Sequence, residues 1–369
     1  MVFICTDCGK EFQPSDKPTG ICSCGQPLAV QYLWEGLERR MDFNSSDESL
    51  WRYSSVLPGV PETEKISLGE GFTPLLPIQN ELGIDLYIKD ETKNPTGSFK
   101  DRGMALAVSM AKKQGVESIC LPSAGNAGIA AAAYCQKAGI ECHVFLPETI
   151  PPEFVVLTKS YDAKIYLKGE SIAETGKYMA KVRQKHWFDI STLKEPFRVE
   201  GKKTMGYEIA EQLGWTFPDV VIYPTGGGTG LIGMWKAFNE IVGLGWANGS
   251  LPRMVAAQSS TCAPVVKAFQ NGKNDIEFWN QSSTEALGLN VPGPIGGRWM
   301  LRILKESGGT AISVDEANVK SATLTIHKKT TINASLEVGV TWLGLKKLID
   351  SNWINPGQTV VLPITGVER

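Results

Sequence analysis

Lys100 lies in the run Asn94-Pro95-Thr96-Gly97-Ser98-Phe99-Lys100-Asp101-Arg102-Gly103, just ahead of a helical pattern, GMALAVSMAKK, over residues 103–113. The start of a helix carries the positive end of the helix dipole, which disfavours an ammonium and favours the neutral amine. A neutral lysine amine is a nucleophile, and with an aldehyde it forms a Schiff base. Taken by itself, a lysine at a loop edge is more often a solvated surface group.

Two more loops sit at the same kind of junction. Ser123-Ala124-Gly125-Asn126-Ala127-Gly128 leads into an Ala-rich helical pattern. Its small residues allow a ligand close to the backbone, its amides suit a carboxylate, and Asn126 offers both a donor and an acceptor. Asn126 alone would serve equally well as a helix N-cap. Pro224-Thr225-Gly226-Gly227-Gly228-Thr229-Gly230 follows an apolar run and precedes a helix. Consecutive glycines with flanking hydroxyls expose a nest of N–H groups suited to a phosphate. Part of that loop, Gly228-Thr229-Gly230-Leu231-Ile232-Gly233, also fits the G-x-G-x-x-G dinucleotide pattern. The next strand, however, ends in Ala257-Gln258-Ser259, without the carboxylate a ribose needs, so a nicotinamide oxidoreductase is disfavoured. His143, His186 and His327 show no triad or metal spacing.

Cys5, Cys8, Cys22 and Cys24 bracket a polar segment holding Pro14, Pro18 and Gly20. Four thiolates on two tight turns suit tetrahedral Zn²⁺ in a closed, structural site. The Cys22-Ser23-Cys24 pair is tighter than a usual zinc knuckle, so a ribbon without metal, or one forming transient disulfides, is the alternative. Cys120, Cys135, Cys142 and Cys262 stand among apolar neighbours and read as reduced core residues.

The elements that must carry these loops alternate. Strand patterns cover 86–89, 118–121, 142–146, 219–223, 253–257 and 359–362, and helical patterns cover 103–113, 128–137, 172–183 and 231–242. Such alternation predicts the α/β class with mostly parallel sheets. A chain of 369 residues exceeds a usual single domain, so two lobes are expected. With 37 basic against 39 acidic residues there is no general field for nucleic acid or an anionic membrane, and an anionic substrate must find local cations. No apolar run is long enough to span a bilayer and no secretory signal is visible, so a cytoplasmic location is the default expectation.

These three loops, in this order, resemble the tryptophan-synthase-β group of pyridoxal phosphate enzymes (fold type II), and within it the threonine synthases. The resemblance spans nearly the whole chain. It is carried by Glu70-Gly71-Phe72-Thr73-Pro74-Leu75, residues 94–103, residues 123–128, Glu200-Gly201-Lys202-Lys203-Thr204 and residues 224–230. The Asn94 to Gly103 stretch is the most specific.

The resemblance implies that Lys100 binds pyridoxal 5′-phosphate and shuttles protons. It further implies that Gly226, Gly227, Gly228 and Thr229 hold the cofactor phosphate, Asn126 its 3′-oxygen, and that Thr365 faces its ring nitrogen. Ser123, Ala124 and Gly125 would hold the substrate carboxylate, and Ser191, Thr192 and Arg198 a substrate phosphate, with Lys194 and Lys202 as weaker candidates. The implied substrate is a phosphorylated amino acid, O-phospho-L-homoserine, and family habit implies a homodimer. Relatives with the same cofactor leave open a cysteate-synthase-like replacement, a serine/threonine dehydratase or a non-catalytic cofactor-binding paralogue.

The implied layout is a cysteine ribbon over 1–45, a large cofactor-binding domain over 46–102 and 191–369, and a small domain inserted at 103–190. The chain departs from the family pattern in three places. Phe72 stands where Asn is frequent, Leu336-Glu337-Val338-Gly339 replaces Pro-Glu-Gly-Ala, and Thr365-Gly366-Val367-Glu368-Arg369 replaces a stretch that usually runs on as Gly-x-Gly-Leu-Lys.

Overall fold

A computed structural model of the chain describes residues 1–14, 20–34, 43–80 and 82–369; Pro18 and parts of the 1–45 segment lie outside them. Three short antiparallel strands come first: β1 (Val2–Cys5), β2 (Glu11–Phe12) and β3 (Leu28–Gln31), in the order β2-β1-β3. The chain then lays down β4 (Leu75–Ile78) and β5 (Asp85–Asp90) and enters helix α1 (Lys100–Lys113). Next come β6 (Ser118–Pro122), α2 (Asn126–Ala138), β7 (Glu141–Leu146), α3 (Pro152–Lys159), β8 (Lys164–Leu167), α4 (Ile172–Val182) and β9 (Phe188–Asp189). The strands among them form an all-parallel sheet in the order β8-β7-β6-β9.

After α5 (Phe197–Gln212) the chain returns to the first sheet. It adds β10 (Val220–Pro224), α6 (Thr229–Gly243), β11 (Arg253–Ser259), α7 (Pro264–Gln270) and α8 (Gly297–Glu306). Then β12 (Thr310–Val314), α9 (Val319–Thr330), α10 (Glu337–Asp350) and β13 (Thr359–Ile364) complete it. The six strands run β12-β11-β10-β13-β5-β4, all parallel except the edge pair β4–β5. The α/β fold with mostly parallel sheets expected from the alternating patterns is therefore present, with the four-stranded sheet inserted between β5 and β10.

Helix α5 was not legible as an element. It is buried along almost its whole length, although Arg198, Glu200, Lys202, Lys203 and Glu208 lie on it. Glu200, Lys203 and Glu208 are paired inside the protein, whereas Arg198 and Lys202 have no carboxylate partner among the described residues. Glu208 takes Lys89 Nζ at 2.7 Å, Arg102 Nη2 at 2.7 Å and the Phe72 N–H at 2.8 Å. Arg102 also holds Glu91 through Nε at 2.6 Å and Nη2 at 2.7 Å. Desolvated pairs of this kind resist being broken, because the remaining partner is left as a buried charge. Helices α1 and α5 meet at two glycines: a Cβ on Gly201 would stand 2.0 Å from the Arg102 carbonyl oxygen, and one on Gly103 2.8 Å from that of Arg198. The quoted motifs thus build one rigid block beneath Lys100.

The departure at Phe72 has a local consequence. Its φ is +41°, a region that Asn adopts readily and a bulky side chain rarely does. Arg52 stacks 4.4 Å from its ring centroid, and Glu208 fixes its N–H.

The ribbon brings its four cysteines together. Cys5 Sγ lies 3.4 Å from Cys24 Sγ and Cys8 Sγ 3.7 Å from Cys22 Sγ, all four sulfurs fall within 4.8 Å of one another, and all four are free thiols. A tetrahedron with Zn–S bonds of about 2.3 Å has edges of about 3.8 Å, so the donor set fits Zn²⁺. The ribbon packs on the body through Phe3 against Phe197 and through Gly20 against the Lys194 backbone. We expect one zinc per chain by elemental analysis, and a strong chelator should lower the melting temperature by on the order of 5 °C. Metal-free protein with an unchanged melting curve would contradict this.

Candidate active site

Parallel strands end where helix N-termini begin, and both parallel sheets point their carboxyl ends at one cavity of about 420 Å³. Lys100, Ser123, Ala124, Gly125, Asn126, Ser191, Thr192, Arg198, Gly226, Gly227, Gly228, Thr229 and Thr365 all line it, so every non-cysteine residue singled out from the sequence meets there.

Lys100 is the first residue of α1, not a residue ahead of it. The loop before it is braced by Asp101, whose carboxylate takes the Thr96 N–H at 2.6 Å and the Thr96 hydroxyl, and by Asn94, which donates to Glu91 Oε2 at 2.9 Å. Lys100 Nζ sits 3.9 Å from the Phe99 ring centroid and has no carboxylate or hydroxyl partner among the described residues. Its pKa is lowered to about 7, first by burial and then by the Arg198 charge, against a smaller opposing pull from Glu337. Burial, rather than the helix end argued from sequence, is the main cause. The amine is therefore neutral above about pH 7 and ammonium below it. In cofactor-free protein, stopped-flow capture of pyridoxal phosphate should quicken as pH rises to about 7 and then level off, falling roughly tenfold per unit on the acid side. A rate still rising steeply at pH 9 would show an unperturbed lysine.

The glycine cradle is built by close packing. A Cβ on Gly226 would stand 2.3 Å from the Gly288 carbonyl oxygen, Gly228 has φ +74° and abuts Met300, and Gly230 leaves room for the Tyr223 hydroxyl. The N–H groups of Gly226, Gly227, Gly228 and Thr229 have no acceptor among the described residues. Four free donors at the start of α6 make an anion site.

The 123–128 loop differs from the sequence reading in one respect. Asn126 is not the cap of α2 but its first residue, and Gly125 precedes it at φ +147°. Ser123 takes over the capping: its hydroxyl accepts the Gly128 N–H at 2.8 Å and the Gly125 N–H at 3.2 Å and donates to the Gly125 carbonyl at 3.0 Å. Its oxygen thus shapes the loop, while the N–H groups of Ala124, Asn126 and Ala127 have no acceptor among the described residues.

On the opposite wall, Ser191 is held by Asp189, which accepts its N–H at 2.9 Å and its hydroxyl. Thr192 is exposed to the cavity, next to Leu193 at φ +63°. Arg198 is 2 % exposed; Nη1 donates to the Ile190 carbonyl at 2.7 Å, while Nε is buried without an acceptor. Burial lowers its pKa to about 10, partly offset by Glu195 and Asp189. Glu195 itself accepts the Phe197 and Arg198 N–H groups at 3.0 and 2.8 Å, closing the start of α5. Lys194 leans on Asp189 at 3.2 Å, nearer the surface.

Lys202 carried little weight in the sequence because a lysine ordinarily reads as a surface group. It is 1 % exposed, lines the cavity and donates to Thr229 Oγ1 at 2.8 Å. Burial, Arg198 and Lys100 together hold its pKa well below the usual lysine range. Lys100, Arg198 and Lys202 thus crowd three basic side chains around one small cavity, where Arg198 keeps its charge and the two lysine amines are pushed toward neutrality, and a bound anion would relieve that mutual repulsion. Thr365 places a neutral hydroxyl in the cavity lining just after β13, and its carbonyl accepts the Phe99 N–H at 3.0 Å.

Comparison with known proteins agrees with this geometry. The model of the family described as pyridoxal-phosphate dependent enzyme matches residues 66–366. A threonine synthase of Methanocaldococcus jannaschii is 34 % identical over 98 % of this chain and 91 % of its own length. One from Methanosarcina acetivorans is 31 % identical over 98 % and 90 %. Among solved structures, a processed threonine deaminase isoform from Solanum lycopersicum superposes with a TM-score of 0.71 at 20 % identity, over 89 % of this chain and 91 % of that one. A maize serine racemase superposes with a TM-score of 0.69 at 20 % identity, over 80 % and 88 %. These two likenesses concern the fold alone. No described helix is long and apolar enough to cross a membrane.

Proposed function

This chain belongs to the pyridoxal-phosphate dependent enzymes and, among them, to the threonine synthases, and from that premise we propose that its cavity converts O-phospho-L-homoserine and water to L-threonine and phosphate. The observation that carries the proposal is the pairing of two anion sites in one cavity. One is the cradle of four free N–H groups, and the other is Arg198 with its unsatisfied Nε. A phosphorylated cofactor and a phosphorylated substrate fill both.

The residues present fit the cofactor. Gly226, Gly227, Gly228 and Thr229 would hold its phosphate, Asn126 its 3′-oxygen and Lys100 its aldehyde carbon, with Thr365 facing the ring nitrogen. Bound pyridoxal phosphate supplies an electron sink for the pairs left when Cα and Cβ lose protons. A hydroxyl at Thr365 favours ring protonation less than a carboxylate would, which makes that sink weaker and suits elimination and replacement better than transamination.

The protein's own groups do the rest. The free N–H groups of Ala124, Asn126 and Ala127 orient the substrate carboxylate at the positive end of α2. Arg198 grips the substrate phosphate with the guanidinium N–H groups not used on the Ile190 carbonyl, with Lys202 and Thr192 beside it, so the Cγ–O bond breaks next to positive charge. Lys100, poised near neutrality, takes the Cα proton and then a Cβ proton as base. Phosphate leaves Cγ with the C–O bonding pair and takes its proton from the incoming water. That water adds at Cβ, and Lys100 returns protons to Cγ and Cα as acid.

The test is to supply O-phospho-L-homoserine to the purified enzyme and measure products. Phosphate and threonine should appear in equal amounts. Phosphate without threonine would point to a dehydratase, and preference for O-phosphoserine to a cysteate-synthase-like replacement; either result contradicts the proposal. An unchanging chromophore across amino-acid substrates would mark a non-catalytic paralogue.

A further inference from the structure

The chain segment after β13 runs back over the cavity and is tied to it at each step. The Thr365 carbonyl accepts from Phe99 N–H at 3.0 Å, the Val367 N–H donates to the Gly97 carbonyl at 2.9 Å, and the Glu368 N–H donates to the Asn333 carbonyl at 3.1 Å. The Gly366 carbonyl accepts from Ser335 N–H at 3.0 Å. This strap carries Arg369 to a point between two loops that belong to different sheets. Its Nε donates to Asn126 Oδ1 at 2.9 Å, and its Nη2 donates to the Thr96 carbonyl. Arg369 also lines the cavity.

An asparagine amide has two nearly isosteric ends, one a donor and the other an acceptor, and a 180° flip exchanges them. A guanidinium can only donate, so it decides which end faces it. With Oδ1 held by Arg369, the Asn126 Nδ2 is left as a donor with no acceptor among the described residues, lying 3.0 Å from where a Cβ on Gly366 would stand. No other described group holds the Asn126 side chain.

We propose that Arg369 is a positioning residue that fixes the Asn126 amide with its N–H₂ toward the cofactor's 3′-oxygen, and that it ties this end of α2 to the Lys100 loop through Thr96. This rests on the reading of Asn126 as a cofactor ligand given above. Without the guanidinium, the amide is free to turn its carbonyl toward an oxygen, which repels it. Gly97 and Gly366 are part of the same device, because side chains there would crowd Arg369 Nη2 and Asn126 Nδ2 at 3.2 and 3.0 Å.

A double-mutant cycle on the full chain tests it, with pyridoxal phosphate affinity and the absorption band of bound cofactor as readouts. Arg369→Ala and Asn126→Ala should each weaken cofactor binding about tenfold, the loss of one charge-assisted hydrogen bond. Both should shift the band in the same direction, and the double variant should bind no more weakly than either single one. Arg369→Lys, which keeps a charged donor, should recover part of the loss. Losses that multiply to about a hundredfold in the double variant would overturn the coupling. An unchanged affinity and band in Arg369→Ala, with or without a lower melting temperature, would overturn the role of Arg369 alone. An unchanged affinity in Asn126→Ala would remove the reading of Asn126, and Arg369's role with it.

Discussion

Lys100→Ala is expected to reduce turnover by at least about 10³-fold, the range set by losing a group proposed to be both the covalent anchor and the proton carrier. The variant should fold, because the Lys100 amine makes no hydrogen bond or ion pair among the described residues, while Asp101 and Arg102 beside it do the bracing. It should still bind pyridoxal phosphate through the glycine cradle, but without the colour of the lysine-linked form. Added methylamine should restore a small part of the activity, since the lost function is that of a free amine. A variant that turned over at the wild-type rate would remove Lys100 from the chemistry.

The second large effect is expected at Arg198. Arg198→Ala should lower kcat/KM for O-phospho-L-homoserine by about 10²-fold or more, because removing one side of a desolvated charge contact costs about 2–5 kcal/mol. Arg198→Lys should recover little, since an ammonium cannot present the open edge of a planar fork. Cofactor affinity should change much less, because the phosphate cradle proposed for the cofactor consists of the 226–229 backbone N–H groups, and Lys202 donates to Thr229 there. Equal losses toward cofactor and substrate would mean that Arg198 serves the general charge of the cavity and not the substrate phosphate.

The contrast between these two residues shows what the sequence could and could not disclose. Lys100 was legible because its loop combines a helix start with an unusually specific string of residues. The reason for its low pKa was not, because burial is set by segments scattered along the chain and the Arg198 charge comes from a residue 98 positions away. The glycine cradle was legible as a strand–glycine–helix junction, whereas the free N–H groups that make it a site emerge only from the hydrogen-bond pattern. Helix α5 was missed for a physical reason. A helix buried on all sides has no apolar face to give a 3.6-residue period, and its charges read as surface until Lys89, Arg102 and Lys236 are seen to meet them. Lys202 was undervalued on the same ground. Ser123 took the capping part open to Asn126, because a hydroxyl three residues ahead of the first helical residue can reach the N-terminal amides of α2. The Arg369 contact could not be read at all, since it joins residues 243 positions apart.

The most direct test is covalent. Purified enzyme loaded with pyridoxal phosphate would be reduced with borohydride, digested and mapped by mass spectrometry. The tag should sit on Lys100 in the Asn94 to Gly103 stretch, at about one per chain. Lys202 is the sharpest internal control, being a second buried lysine in the same cavity with a strongly lowered pKa. A tag on Lys202 or on surface lysines, with Lys100 unmodified, would contradict the account.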